Sequence, residues 1–278
     1  MKLSELNEQK EKSVKSPLYR IERKDNLKAL IGFSIVSAIV LFITISLFPL
    51  LDDVMAQIQK MFEGNPEMQN MMAAAIGTQS ITSYFVAQTA QSWAFVGGIY
   101  AAYLGYKLVG GNFKDGSYEM LYTQNVSRTQ ILKHKLIRLA INIGIFSLVN
   151  AVAGFIAMMI WGSGQFNVLK YVLYCLFVAL MTLQIGVFSF AISTFAHRKY
   201  SMMSAILVVM AMYFIVTFAL SVESLNFLNA VTPFGLVYVD IFNSTMSAVN
   251  IVGLIIWIVV PTILAFLGFK NFKNTDLI

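Results

Sequence analysis

ALIGFSIVSAIVLFITISLFPL, residues Ala29 to Leu50, carries no charged side chain over about 22 residues, which is enough for a helix to cross the ~30 Å hydrocarbon layer of a bilayer. The 28 residues before it are charged and polar. A cleavable signal peptide has a shorter apolar core that starts earlier and ends at a small-residue cleavage site, so an uncleaved first span is expected. Further runs of spanning length follow at Trp93–Val109, Leu139–Trp161, Val168–Phe195, Met202–Leu220 and Val249–Phe269. Backbone groups in lipid must bond within their own segment, so all are expected to be helices.

The whole composition agrees with this reading. Of the 278 residues 58% are hydrophobic and 12% charged, against ~25% charged in an ordinary soluble domain. The fold class expected is therefore all-α, a polytopic membrane protein with about six transmembrane helices. Its parts are a polar tail and amphipathic surface helix over 1–28, a transmembrane domain over 29–269 and a short tail over 270–278. Within Pro17–Lys24 apolar and basic residues mix as in a helix that lies along a membrane surface.

Lys and Arg are retained on the cytoplasmic side of membrane proteins. With the N-terminus inside, all of the 20 basic residues except Lys60 and Lys170 fall in inner segments. Both termini are thus expected in the cytoplasm of a cell-membrane protein. The net charge of +6 reads as a topology signal, with no stripe of basic and aromatic residues to suggest nucleic acid.

The outer connection 51–92 is too long for a plain link. Val54, Ile58, Met61 and Phe62 share one helical face, Gly64-Asn65-Pro66 breaks it, and interfacial helices are expected on both sides. Met55, Met61, Met68, Met71 and Met72 offer thioethers of the kind that select Cu(I). With no His or Cys beside them, an apolar packing face is the better reading and no metal site is expected. The outer segment Ser221–Ala248, broken by Pro233-Phe234-Gly235, has the mixed character of a stretch that dips back into the membrane. Cys175 lies in an apolar run and, as the only cysteine, forms no internal disulfide.

Ion-coupled carriers place ionisable residues inside the bilayer, where they are expensive and mark a pathway. The central parts of these spans carry none, and Lys107 and Lys170 lie near span ends from which they snorkel. No H-E-x-x-H, G-x-S-x-G or G-x-x-x-x-G-K-[ST] pattern is present, so hydrolysis of ATP would belong to another chain. Asn142, Asn150 and Gln184 are polar residues within spans that could line a cargo path, or simply bond between helices. Gly97, Ala101 and Gly105 form two small-xxx-small steps that let another helix approach closely.

The connection between spans two and three, 110–138, is the most informative. Ser117–Tyr122 suits a short helix with Glu119 near its positive end. Ser127-Arg128-Thr129-Gln130 reads as a capping box that opens a helix running through Lys135 into the third span. Here the chain resembles the permease subunits of ABC-2 type exporters, whose loop carries acidic-Gly-[Thr/Ser]-x-Glu-x-Leu-Leu, then Pro-Val-Ser-Arg, then a Lys. The matching residues are Asp115, Gly116, Ser117, Glu119 and Leu121, then Val126, Ser127 and Arg128, then Lys135. Asn125 replaces the usual Pro, and Lys114 stands where an acid is common.

The resemblance implies a type V exporter fold, with two six-span subunits face to face, each resting on an ABC ATPase subunit. It further implies that Asp115, Gly116, Glu119, Leu121, Val126, Ser127, Arg128 and Lys135 form an ATPase-coupling segment. The chain itself would be no enzyme and bind no cofactor, ATP and Mg lying on the partner. Apolar, aromatic spans suit an amphipathic or hydrophobic cargo, such as a peptide, lipid-like molecule or drug. A non-transporting immunity or sensor component and an ion-efflux permease share this layout.

Overall fold

Every regular element is helical among the described residues, which in this computed structural model are 18–50, 57, 60–61, 81–114, 127–162, 166–196, 201–221, 223–239, 241–242 and 246–274. Helix α1 is Leu18–Ser46, continued by a turn to Leu50. Helix α2 is the unbroken run 81–114, built from Ile81–Thr89, a π turn Ala90–Ala94, Phe95–Tyr106, a second π turn Lys107–Gly111 and Asn112–Lys114. Then come α3, Arg128–Trp161, α4, Val168–Ala196, α5, Met202–Ser221, and α6, Ala248–Asn274. Two 3₁₀ stretches, Glu223–Ala230 and Pro233–Leu236, lie between α5 and α6.

Five of these helices, α1 and α3–α6, are long and apolar enough to cross a membrane. The remaining one, α2, contains the expected span Trp93–Val109 but starts at Ile81. Its polar first turns escaped the hydropathy reading because they are covered by protein. Thr82, Tyr84, Phe85, Val86 and Thr89 are buried, and the Tyr84 hydroxyl donates to the Thr44 carbonyl of α1 at 2.9 Å. At the other end, α1 begins at Leu18 and passes without a break into the first span, so the segment expected to lie on the surface is its opening turns.

Packing sorts the helices into inner and outer members. Helix α4 packs most extensively, on α2 and α6, and α1 leans chiefly on α3. Of the most apolar stretch of each helix, 56% is buried in α4, against 28% in α1 and α6 and 22% in α5. Along α2, Trp93, Ala94, Tyr100, Ala101, Ala102 and Leu104 are all fully buried. Outside, Ile31, Ile35, Ile39 and Ile43 form a stripe on α1, each 49–54% exposed. Ile137, Ile141, Ile145 and Leu148 form another on α3. Contiguous apolar surface of this kind is rare on water-soluble monomers, and it meets no penalty when the surrounding solvent is hydrocarbon.

The stretch between α5 and α6 does turn inward. Phe234 is fully buried, its ring edge-on to Tyr213 near the middle of α5, with centroids 5.5 Å apart. It also lies against Gly98, where an added Cβ would stand 2.9 Å from the ring. Non-helical backbone is tolerated at such depth only when protein encloses it. The expected interfacial helices of 51–80 lie outside the described residues, apart from the isolated positions 57, 60 and 61.

Candidate coupling site and the polar residues of the bundle

The α3 stem of the α2–α3 connection is opened by local chemistry that the sequence announces. Ser127 opens α3 in an extended conformation, its hydroxyl accepting from the Gln130 amide at 3.3 Å. The Gln130 side-chain oxygen accepts in return from the Ser127 amide at 3.4 Å, which completes the capping box. Arg128 is the first residue of α3 and half-buried. Two turns further on, Lys135 is only 4% exposed, and its Nζ donates to the Leu108 carbonyl at 2.5 Å. Leu108 belongs to the second π turn of α2. The bond thus spans the connection and joins its stems. Beyond that turn Phe113 sits edge-on to Phe272 of α6, centroids 6.0 Å apart. Asp115, Gly116, Glu119, Leu121 and Val126 lie outside the described residues.

The small residues of α2 face helices of this same chain. At Gly105 an added Cβ would collide with the Gly186 carbonyl oxygen and stand 2.9 Å from the Phe190 amide nitrogen, both backbone atoms of α4. Ser189 exploits the approach by donating to the Ala102 carbonyl at 2.8 Å. One turn nearer the start, Ala101 is fully buried and its carbonyl lies under Gly186. Gly97 lies under Phe146 of α3, whose ring an added Cβ would meet at 2.8 Å.

Asn142, Asn150 and Gln184 are all buried, the first two on α3 and the third on α4. Asn150 is committed at both ends, accepting from Ser37 of α1 at 2.7 Å and donating to the Phe146 carbonyl at 2.9 Å. Asn142 lies about two turns earlier on α3, and its Nδ2 has no partner among the described residues. Gln184 sits on α4 one turn from Phe188, whose ring packs on Trp257 of α6, centroids 5.7 Å apart. Its Oε1 has no partner among the described residues. Asn150 therefore marks the α1–α3 seam.

Against this geometry stands a family match over residues 17–277, which takes in every helix from α1 to α6, to the family described as ABC-2 family transporter protein. The chain belongs to that family. It is accordingly a membrane protein and the permease component of an ABC transporter, of the kind that works with an ABC ATPase. Among curated proteins no sequence matches it.

Other residues of this ABC-2 permease carry contacts that no pattern in the sequence signals. Lys170, half-buried, donates to the Phe242 carbonyl at 2.6 Å. The Tyr174 hydroxyl donates to the Val237 carbonyl at 2.9 Å, and Trp257 Nε1 to the Val231 carbonyl at 3.1 Å. Together they satisfy backbone oxygens of the inward-turned stretch, as buried carbonyls require. Partners so far apart in sequence leave no periodic signature. Among the described residues no three His, Cys, Asp or Glu side chains come together as metal ligands.

Proposed function

We propose that this permease is the membrane-spanning half of an ATP-driven exporter, moving an amphipathic or hydrophobic cargo out of the cell. ATP and Mg bind on a separate ABC ATPase, and closure of that subunit drives the α2–α3 connection. Asp115, Gly116, Glu119, Leu121, Val126, Ser127 and Arg128 supply the contact, and Lys135 acts behind them. Two permease subunits, of this chain or of this chain and a second one, enclose the cargo path in the cell membrane. The termini lie in the cytoplasm, as the distribution of basic residues supports. No residue of the chain makes or breaks a bond in cargo.

The observation that carries this reading is the joined pair of stems. A connection meant to receive a push must pass it on, and here the start of α3 is capped and its Lys135 holds the end of α2. The test is affinity purification of the tagged chain from its native membrane, with mass spectrometry of what is retained and an ATPase assay of the eluate. An ATPase subunit bearing a phosphate-binding loop, stimulated by the chain, is the expected result. Recovery of the intact chain alone, repeatedly, would overturn it in favour of a non-transporting sensor or immunity role.

A further inference from the structure

We infer that Lys135 is a positioning residue that works the π turn Lys107–Gly111 as a hinge, transferring motion of the α2–α3 connection into α2. The inference rests on the coupling reading above and adds to it the element that yields. A π turn holds one residue more than an α-helical turn, and such turns recur at functional sites in helices. On one side of this turn α2 is fixed, because Gly105 is wedged against the backbone of α4 and Ser189 holds the Ala102 carbonyl. On the other side Phe113 packs on Phe272 of α6. Displacement of the end of α2 relative to its middle has to be taken up between these two anchors. That interval is the π turn.

The turn also contains two glycines. Gly110 and Gly111 lie within it, and a Cβ on Gly110 would meet the Tyr106 ring at 2.6 Å. Lys135 grips this interval from α3 through the Leu108 carbonyl, about 10 Å along the helix from Arg128 at a rise of 1.5 Å per residue. A shift at the capped start of α3 therefore reaches Leu108 through a buried, charge-assisted hydrogen bond, stronger than a neutral one. A merely structural lysine would hold the two stems in the same way whether or not nucleotide is bound.

The experiment follows that difference. The full permease–ATPase complex in lipid nanodiscs is compared by hydrogen–deuterium exchange without nucleotide and after trapping with ATP, Mg and vanadate. In the wild type, amides of 107–114 are expected to change their exchange about threefold or more on trapping, within the range of local opening energies. In Lys135→Met the same amides exchange about tenfold faster without nucleotide, as loss of a hydrogen bond to a charged group predicts, and no longer respond to trapping. Lys135→Arg restores the response. Exchange in 107–114 that ignores trapping in the wild type overturns the hinge while leaving the coupling reading intact, provided the ATPase is bound and trapped. A trapping response that persists in Lys135→Met overturns the role of Lys135. So does loss of ATPase binding in that variant, since a buried lysine does not touch the ATPase. If no ATPase binds the wild-type chain, the coupling reading falls and the hinge with it.

Discussion

Gly105→Ala tests the central packing contact. The new Cβ would collide with the Gly186 carbonyl oxygen, lie 2.9 Å from the Phe190 amide nitrogen and 3.0 Å from Ser189 Cβ. Two of these atoms belong to the backbone of α4, so no side chain can rotate aside and the helices must part. Overpacking of this kind costs about 1–3 kcal/mol. Parting also loosens the Ser189–Ala102 bond of 2.8 Å, and such interhelical bonds contribute about 0.6 kcal/mol on average. Alanine meanwhile gains about 0.8–1 kcal/mol over glycine inside a helix. The same gain applies at Gly144 on α3, where an added Cβ meets nothing within 4 Å. The difference between Gly105→Ala and Gly144→Ala therefore isolates the contact, at about 1.5–3.5 kcal/mol. That is roughly a tenfold to few-hundredfold change in the folded-to-unfolded ratio. Unfolding in mixed micelles of rising SDS fraction, followed by tryptophan fluorescence, measures both variants, with Gly32→Ala as a second open-space control. Equal midpoints for Gly105→Ala and Gly144→Ala would refute the argument.

Two further outcomes are expected. A double-mutant cycle over Ser37→Ala and Asn150→Ala should give a coupling of about 0.6 kcal/mol and no more than about 1.7 for the 2.7 Å bond between them, read from the same SDS titration; zero coupling would mean that the pair does not hold the α1–α3 seam. Ser127→Ala removes the α3 cap at a cost of about 1 kcal/mol, so amides of 128–131 should exchange about fivefold faster while those beyond Lys135 stay unchanged.

How far the sequence could be read depended on what solvates each helix. For α4 and α5 the hydropathy boundary and the helix boundary nearly coincide at both ends, and for α3 at its last residue, because lipid itself demands apolar residues there. Met202–Leu220 became Met202–Ser221 and Val168–Phe195 became Val168–Ala196. At its start α3 exceeds the apolar run by three turns, and there the Ser127–Gln130 cap located the end where hydropathy did not. Local chemistry of that kind is legible because donor and acceptor are three residues apart. The Lys135–Leu108 bond is not, because only Lys135 stood out, in the loop pattern, and nothing in the sequence singled out Leu108. Asn142, Asn150 and Gln184 share a residue class, and composition cannot distinguish the amide of Asn150, bonded at both ends, from the other two.

The helix that hydropathy read least well is the one on which the coupling argument depends. A helix facing lipid must be apolar and regularly wound, since each unsatisfied backbone group there is costly. Helix α2 is enclosed by α1, α3, α4 and α5, and its neighbours supply the hydrogen bonds that lipid cannot. Tyr174 shares its one hydroxyl proton between the Val237 carbonyl at 2.9 Å and the Val86 carbonyl at 3.3 Å, Ser189 donates to Ala102 and Lys135 to Leu108. Enclosure thus permits both π turns and the polar first turns that obscured its start. It also means that α2 cannot move without displacing side chains on its neighbours. A helix with irregular turns on either side of a wedged Phe95–Tyr106 segment confines that displacement to its ends, and the end held by Lys135 adjoins the connection to α3.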